Sequence, residues 1–392
     1  MNPVATIWRR LQLPDPVRIR RCETMPELGP KILFFSGGSA LNKISRALKN
    51  YTHNSIHLVT PFDSGGSSSH LRNAFSMPAV GDLRSRLMAL ADETVLGQPE
   101  IYALFDYRLA KKGRISELRQ ELANLAAGQH SLMAPITGPM RQLICTQLSV
   151  TQAHIDEAFD LRGASVGNLI IAGGYLNNQQ QLDPIVFLFS RLVKVLGEVQ
   201  TIADVALHLA AELDDGRIII GQHRLTGKEQ VAITSPIKRI FLNESLTVHR
   251  PTHCEISRDR YELIEMADLI CYPPGSFYSS VLVNLLPMGV ASAIQANPSP
   301  KVYLPNLGVD PEQMGLTLLG QVEQLIKSIT GGPLAAQGVL DYVILDESLA
   351  WSLDEQMAIK ALGVQVISAS LLQGQKKHYD EEAVAQLLVS LV

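Results

Sequence analysis

The fold is decided by residues 31–41, KILFFSGGSAL, in which an apolar run ends in two glycines. The run from Lys31 to Ser36 predicts a buried strand. Behind it, Leu41, Ile44 and Leu48 are spaced as on one face of a helix. The glycines between strand and helix predict a tight turn, because glycine adopts backbone angles that other residues avoid. The stretch therefore predicts a β–α unit.

The same order of strand, loop and helix recurs along the chain. Further strands are predicted at Ile56 to Thr60, Leu269 to Tyr272, Lys301 to Leu304 and Tyr342 to Leu345. Helices are predicted at residues 310–330 and 380–391. Alternating strands and helices predict an α/β protein whose mainly parallel sheet carries helices on both faces.

One large domain is expected over residues 31–392, with two additions. Residues 93–165 are predicted to form a helical insertion with breaks near Gly128 and Pro135. Asp215-Gly216 lies between two apolar runs and predicts a β-hairpin over residues 206–222. Residues 1–30 carry five arginines and are predicted to be a leader that packs on the outside of the domain; a frayed tail is the alternative.

Composition excludes several classes of protein. Only 18% of residues are charged and 46% are hydrophobic, which excludes wholesale disorder. The net charge of −4 argues against a nucleic-acid partner, since binding to phosphates requires a basic surface. No apolar stretch approaches the ~20 residues of a membrane span. Four cysteines do not form a disulfide framework, so we expect a cytoplasmic protein.

The turn Ser36-Gly37-Gly38-Ser39-Ala40 is the first candidate for ligand binding. Its glycines would let backbone amides approach a phosphate, and the following helix adds partial positive charge. It matches neither the dinucleotide fingerprint nor the P-loop. An ordinary tight turn is the alternative interpretation.

The second candidate is the loop predicted from Asp63 to His70, with Arg72 beyond it. An aspartate at a strand end can hold Mg²⁺, which takes few protein carboxylates together with substrate phosphates. Gly65, Gly66 and Ser67 offer flexible backbone and a hydroxyl group, and Arg72 could clamp a phosphate. A solvated Ser/Gly loop is the alternative.

Three further segments follow predicted strands or precede predicted helices. They are Gly81-Asp82-Leu83-Arg84, Gly167-Asn168, and Pro274-Gly275-Ser276 with Ser279. For Asp82 and Asn168 the alternative interpretation is a helix cap. For Gly275, Ser276 and Ser279 we expect amides and hydroxyls at a helix start, where an anion can bind.

Taken in order, these loops resemble the 2-phospho-L-lactate transferase (CofD-like) family, and more closely its gluconeogenesis-factor branch. The resemblance covers about residues 31–391. The matching segments are Ser36 to Leu41, Val59 to Ser68, Gly81 to Arg84, Ala89 to Asp92, Gly167 to Leu169, Ala267 to Ile270, Pro274 to Ser280, Asn284 to Leu286 and Lys301 to Tyr303.

The resemblance implies a Rossmann-like core that binds a nucleotide diphosphate, and it favours a homodimer. One branch of the family transfers a 2-phospholactyl group from a guanosine-diphosphate donor to a deazaflavin acceptor with Mg²⁺. The other branch is similar to a sensor of uridine-diphosphate sugars that affects cell-envelope growth. The two expectations are therefore a transferase acting on a nucleoside-diphosphate-linked small molecule and a regulator that only binds one.

The resemblance also implies roles for particular residues. Gly37, Gly38 and Ser39 would contact phosphate, and Asp63 would hold the metal or orient the acceptor. Asn168, Gly275 and Ser276 would line the nucleotide site. The family's paired aspartates after the second strand are Asp63-Ser64 here, so one carboxylate is missing and weaker Mg²⁺ binding is expected.

Overall fold

The apolar run at residues 32–36 forms the central strand of a parallel sheet. A computed structural model describes residues 12–94, 97–227, 233–332, 334–372 and 378–392. The strands are β1 Ile32–Ser36, β2 Ile56–Val59, β3 Glu198–Thr201, β4 His208–Leu213, β5 Ile218–Ile220, β6 Ile237–Asn243, β7 Pro251–Thr252, β8 Leu269–Tyr272, β9 Lys301–Tyr303, β10 Tyr342–Asp346 and β11 Gln365–Ala369.

Within the described residues, seven strands form one sheet in the order β11-β10-β9-β8-β1-β2-β3. Each pair of neighbours in this sheet is parallel. A second sheet is antiparallel and has the order β5-β4-β6-β7. The prediction of an α/β fold with a mainly parallel sheet is confirmed. The predicted hairpin is β4 and β5, and the structure extends it with two strands that were not predicted.

Helices fill the connections between the strands. They are α1 Pro16–Thr24, α2 Asn42–Leu48, α3 Gly66–Phe75, α4 Gly81–Leu90, α5 Pro99–Asp106, α6 Ile115–Ala126, α7 Gly138–His154, α8 Val166–Asn177, α9 Asp183–Leu192, α10 Arg258–Glu265, α11 Val290–Ala296, α12 Leu318–Thr330, α13 Leu353–Ala361 and α14 Glu381–Ser390. None of the helices in the described ranges is both long and apolar enough to cross a bilayer.

Both faces of the large sheet are buried, as its continuous apolar strands require. Alternate residues of β1 point to opposite faces: Ile32 and Phe34 pack with α2 and α14, whereas Leu33 and Phe35 pack with the small sheet and with α11 and α12. Helices α3 to α9 form a third apolar cluster beside β2 and β3. The helical region thus runs from α3 to α9, past the predicted boundary at residue 165.

The described part of the predicted leader is residues 12–30. Helix α1 lies against α14, and the backbone amide of Asp15 donates to Ser390 Oγ at 2.9 Å. Leu13, Ile19 and Cys22 pack on the apolar cluster of that face. Residues 1–11 of the predicted leader lie outside the described residues.

Candidate functional site

The chain order of the large sheet reverses between β1 and β8. From β1 the chain continues to β2 and β3 on one side, and it later returns to β8 on the other side of β1. Ligands of open parallel sheets bind beyond the carboxyl ends of the strands at such a switch point.

A polar cavity of about 450 Å³ is lined by the loops that follow β1, β2 and β8. The small sheet and the helical region complete it. Its lining residues are Gly38, Ser39, Asp63, Gly65, Gly66, Ser68, Gly81, Asp82, Arg84, Ser85, Arg108, Asn168, Gln222, His223, Thr226, Ser276 and Ser280.

The turn after β1 favours glycine at two positions, Gly37 for lack of space and Gly38 for its backbone conformation. A Cβ atom on Gly37 would lie 2.6 Å from Thr60 Cγ2 and 3.2 Å from Ser280 Oγ. Gly38 has φ +59°, which favours glycine. Gly38 and Ser39 line the cavity and Gly37 lies directly beneath it, so the structure brings these three predicted residues together.

Two aspartates approach each other in this cavity. Asp63 follows β2, and Asp82 is the second residue of α4. Asp82 Oδ2 accepts a hydrogen bond from the Gly38 amide at 2.6 Å. Burial raises the pKa of Asp63 to about 6, and the charge of Asp82 adds to this effect. The cavity therefore contains a carboxylate pair that spans two elements of the chain.

The cap interpretation of Asp82 is wrong. Val80 occupies the cap position of α4, where no side chain makes a capping hydrogen bond. Asp82 instead ties α4 to the turn after β1. A second carboxylate is thus supplied from a segment 19 residues after Asp63, although Ser64 lacks one.

The loop after β2 is shorter than predicted, because α3 begins at Gly66. Gly65 and Gly66 line the cavity, and the Gly65 amide donates to Asp63 Oδ1 at 3.0 Å. Ser67 lies in the first turn of α3, and Ser68, which was not predicted, lines the cavity.

The prediction that Arg72 clamps a phosphate is wrong. Its side chain is buried and does not line the cavity. Its Nη1 donates to the Asp63 carbonyl at 2.5 Å and its Nη2 to the Leu207 carbonyl at 2.6 Å. Arg72 therefore supports the loop of Asp63 from behind, where a ligand phosphate could not reach its guanidinium.

Arg86 lies behind Asp82, away from the cavity, as Arg72 lies behind Asp63. It is 1% exposed, lies one helical turn after Asp82 on α4, and donates to Ser45 Oγ at 2.6 Å. Burial lowers the pKa of Arg86 to about 10, and the charge of Asp82 opposes that shift.

The loop after β8 differs from the predicted amide cradle. The Gly275 amide donates to Asn306 Oδ1 at 2.8 Å, and the Phe277 amide to Asp310 Oδ2 at 2.8 Å. The amides of Tyr278 and Ser279 both donate to Glu312 Oε2, at 3.0 and 2.8 Å. Internal acceptors therefore occupy the amides that were expected to bind phosphate.

Two of the three predicted residues in that loop turn out not to line the cavity. Gly275 does not line it, and the Ser279 hydroxyl donates to Glu312 Oε1. Ser276 does line it, together with Ser280. Burial raises the pKa of Glu312 to about 7, and the charge of nearby Asp310 contributes.

Asn168 lines the cavity from the first turn of α8. It is not the cap of that helix, since Ser165 Oγ accepts from the Asn168 amide at 3.3 Å. The amino-terminal ends of α3, α4 and α8 thus all reach the cavity, and the helix dipoles favour an anion there.

Three cavity residues with basic side chains were not predicted as site residues. Arg84 lies on α4, Arg108 follows α5, and His223 follows β5. His223 Nδ1 and Ser64 Oγ are hydrogen-bonded at 2.7 Å. Arg84 lies two residues after Asp82 on the same helix, and this proximity is the feature of the sequence from which its place in the cavity could have been predicted.

A second cavity of about 410 Å³ adjoins the first, and Ser39 lines both. It lies between the start of α2, the loops after β8 and β9, and the start of α14. Its remaining lining residues are Ala40, Lys43, Ile44, Pro274, Asn306, Leu307, Gly308, His378, Tyr379 and Glu381. This cavity is the more apolar of the two.

Within the described ranges, no three or more His, Cys, Asp or Glu side chains gather as a metal site. A metal at the carboxylate pair would therefore need ligands from a substrate or from water. Among the described residues that line the polar cavity, Asp63 and Asp82 are the two carboxylates.

Fold and cavity together define an α/β protein with a polar site at the switch point of a parallel sheet. The model of the family 2-phospho-L-lactate transferase CofD matches residues 32–372, and the chain belongs to this family. The resemblance inferred from the loops is thereby confirmed.

Several relatives carry a different name from the family. The gluconeogenesis factor of Bacillus subtilis is 28% identical, over 93% of this chain and 98% of its own length. A putative gluconeogenesis factor of Thermoanaerobacterium thermosulfurigenes is also 28% identical, over 93% of this chain and 97% of its own. The family thus indicates a transferase, while these names specify no reaction.

The fold is also found in a solved structure. The crystal structure of a UPF0052-family protein from Bacillus halodurans matches 91% of this chain and 98% of its own, with a TM-score of 0.66 and 24% identity. At this identity the likeness shows the fold alone.

Proposed function

We propose that the chain is a transferase that moves a phosphate-linked group of the 2-phospholactyl kind from a nucleoside-diphosphate donor to an acceptor hydroxyl, with Mg²⁺. The observation that carries the proposal is the carboxylate pair of Asp63 and Asp82 beside the turn of Gly37 and Gly38. Family membership supports transferase chemistry.

The donor set fits Mg²⁺, which takes one or two carboxylates together with phosphate oxygens. Asp63 and Asp82 would hold the ion, and Asp82 offsets the carboxylate that Ser64 does not provide. When bound, Mg²⁺ would neutralise negative charge on the transferring phosphate groups.

The two adjoining cavities suit the two parts of a nucleotide donor. The pyrophosphate would lie in the polar cavity, near Ser39 and the amino-terminal ends of α3 and α4. The nucleoside would enter the more apolar cavity, which begins at the same serine. Ser276 and Asn168 would contact the phosphates or the transferred group.

In the proposed step, the acceptor oxygen attacks the distal phosphorus of the donor. A new oxygen–phosphorus bond forms as the bond to the bridging oxygen breaks, and the nucleoside monophosphate leaves with that oxygen. The hydroxyl proton passes to His223, which Ser64 orients. Such transfers depend mainly on positioning and electrostatic stabilisation, which this cavity can supply.

Release of a nucleoside monophosphate tests the proposal. The protein is incubated with guanosine- or uridine-diphosphate-linked donors, Mg²⁺ and candidate acceptors, and GMP or UMP is measured. Asp63→Ala should reduce release at least about a hundredfold. Asp156→Asn, which removes an exposed carboxylate elsewhere, is the control. Unchanged release by Asp63→Ala would disprove the proposed role of Asp63.

A second candidate function is a regulator that binds a uridine-diphosphate sugar without converting it. The relatives are named as factors and not as enzymes, which favours a regulator over a transferase. Glu312 already occupies two amides near β8 that would otherwise be available to a reacting phosphate. It predicts that the sugar nucleotide raises the melting temperature, because a ligand that binds only the folded state stabilises it. It also predicts no product by mass spectrometry after long incubation with Mg²⁺.

A further inference from the structure

Strand β11 forms one edge of the seven-stranded sheet and is paired on one side. It pairs with β10 along its whole length, from Gln365, opposite Tyr342, to Ala369. In the described part of the chain, no strand lies on its other side. An open edge presents a row of backbone donors and acceptors with which a further strand can pair.

The hydrogen bonds to β10 indicate which backbone groups face the open side. The Gln365 amide donates to the Asp341 carbonyl at 2.8 Å, and the parallel register continues without a shift to Ala369. Successive residues of a strand direct their backbone groups to opposite sides. The amides and carbonyls of Val366 and Ser368 therefore point away from β10, towards the open side of the sheet.

The two edges of the large sheet differ in charge. At the opposite edge, β3 includes Glu198, and the buried Arg260 donates from Nε to the Thr201 carbonyl at 3.2 Å. Charged side chains of this kind keep other strands from pairing with an edge. The sequence of β11, QVISA, contains neither a charged residue nor a proline. β11 therefore lacks the protection that β3 has.

The helix that packs on β11 also exposes apolar side chains. Helix α13 buries Ile359 in the core, whereas Leu353 is 75% exposed and Met357, one turn later, is 69% exposed. A stable interface takes about 20–30 residues from each partner, so a strand of five residues needs a larger surface around it. The exposed side chains of α13 extend the apolar surface beside the open strand.

Two copies of β11 are able to pair with each other about a two-fold axis. If the axis passes beside Ile367, Val366 of each copy lies opposite Ser368 of the other copy. These are the residues whose backbone groups face outward, so each such pair forms two hydrogen bonds between the copies. Because β11 carries no charge, this pairing brings no like charges together, whereas two copies of β3 would bring Glu198 into the interface.

We propose that two copies of the protein associate through antiparallel pairing of β11 with β11 of the second copy, so that their large sheets form one continuous sheet. The α13 helices of the two copies then lie on the same face of that sheet, beside the paired strands. Because both copies use the same surface, the assembly closes at two chains. The inference goes beyond the proposed function and does not depend on it.

Sedimentation equilibrium of the full-length protein tests the interface. We expect the mass of two chains at about 100 µM, because interfaces of standard size give dissociation constants in the micromolar range or below. Ser368→Pro removes an outward N–H group and no hydrogen bond to β10, and an edge strand tolerates proline at such a position. This variant should associate at least about a hundredfold more weakly. Ser368→Ala keeps the N–H group and is the matched control.

A second pair of variants tests the contribution of α13. Leu353→Glu places a charge on a side chain that is exposed in one copy, so the fold is preserved, and it should weaken association about tenfold or more. Phe187→Glu is the control, because Phe187 is 63% exposed on α9 and lies far along the chain from β11. It should leave the dissociation constant within about twofold of the wild type.

The inference is overturned if the wild type has the mass of one chain at about 100 µM, or if it forms assemblies larger than two chains. It is also overturned if Ser368→Pro, folded by circular dichroism, associates as tightly as Ser368→Ala, since the copies would then use another surface. If Ser368→Pro does not fold, Leu353→Glu decides: association as tight as that of Phe187→Glu overturns the inference, and weaker association supports it.

Discussion

Replacing Asp63 by Asn removes one carboxylate of the pair, while the new side chain has nearly the same shape as that of Asp63. Burial, with the nearby charge of Asp82, raises the pKa of Asp63 from 3.8 to about 6. A difference of about two pKa units corresponds to about 3 kcal/mol of differential interaction between the two protonation states. Asn retains an oxygen that can accept from the Gly65 amide, so the substitution removes mainly the charge.

The direction of the pH dependence follows from the raised pKa. Between pH 4 and 6 the unfolded chain releases the proton of Asp63 while the folded protein retains it, so stability falls as pH rises through this range. Above pH 6 the folded protein carries the buried charge at full cost. Asp63→Asn avoids this cost and should be more stable than the wild type by up to about 3 kcal/mol at pH 8, but by less than about 1 kcal/mol at pH 4.

Urea unfolding in EDTA at pH 4 and pH 8 measures both differences. Asp156→Asn is the matched control, because it removes an exposed carboxylate and should change stability little at either pH. The reasoning is refuted if Asp63→Asn is no more stable than the wild type at pH 8. It is equally refuted if the gain in stability is the same at both pH values, since the charge would then not be its cause.

Two more substitutions test the loops on either side of the pair. Gly37→Ala places a methyl group 2.6 Å from Thr60 Cγ2 and should lower the free energy of unfolding by about 1–3 kcal/mol. Gly138→Ala is the control, because its methyl group meets no atom within 4 Å and should leave the free energy of unfolding unchanged. Equal melting temperatures for the two variants would contradict this prediction. Glu312→Ala leaves the Tyr278 and Ser279 amides without their acceptor and should cost about 3 kcal/mol or more in urea unfolding. Glu312→Gln at pH 6 should cost much less, because burial raises the pKa of Glu312 to about 7; equal losses would contradict that assignment.

The central strands could be predicted from sequence because both of their faces are buried. β1, β2 and β8 are apolar runs without exposed positions. The edge strands β3 and β11 were missed, since residues EVQT and QVISA at the ends of the sheet are short and mix polar with apolar residues, and both strands include exposed positions. Such short mixed segments carry no periodicity that separates them from loops.

Only those site residues could be predicted from the sequence whose position depends on their own strand and turn. Gly38 lies two residues after β1 and Asp63 four residues after β2, so the sequence places both at the sheet edge. Asp82 has the local signature of a helix cap, and only the packing of α4 against the turn after β1 gives it another partner. The amides near Ser279 were misread because Glu312, their acceptor, lies 33 residues further along the chain.

The arrangement of charge around the carboxylate pair explains why Arg72 supports the site without binding a ligand. Arg72 lies behind Asp63 and Arg86 behind Asp82, both buried and neither on the cavity wall. Guanidinium groups keep their charge even when burial lowers their pKa to about 10, so each aspartate has a permanent positive charge on its inner side. The two buried cations offset the repulsion between the carboxylates and leave the cavity side of the pair open to a cation or an acceptor hydroxyl. An arginine that projected into the cavity beside the pair would neutralise it there instead, and would compete with any metal for the same oxygens.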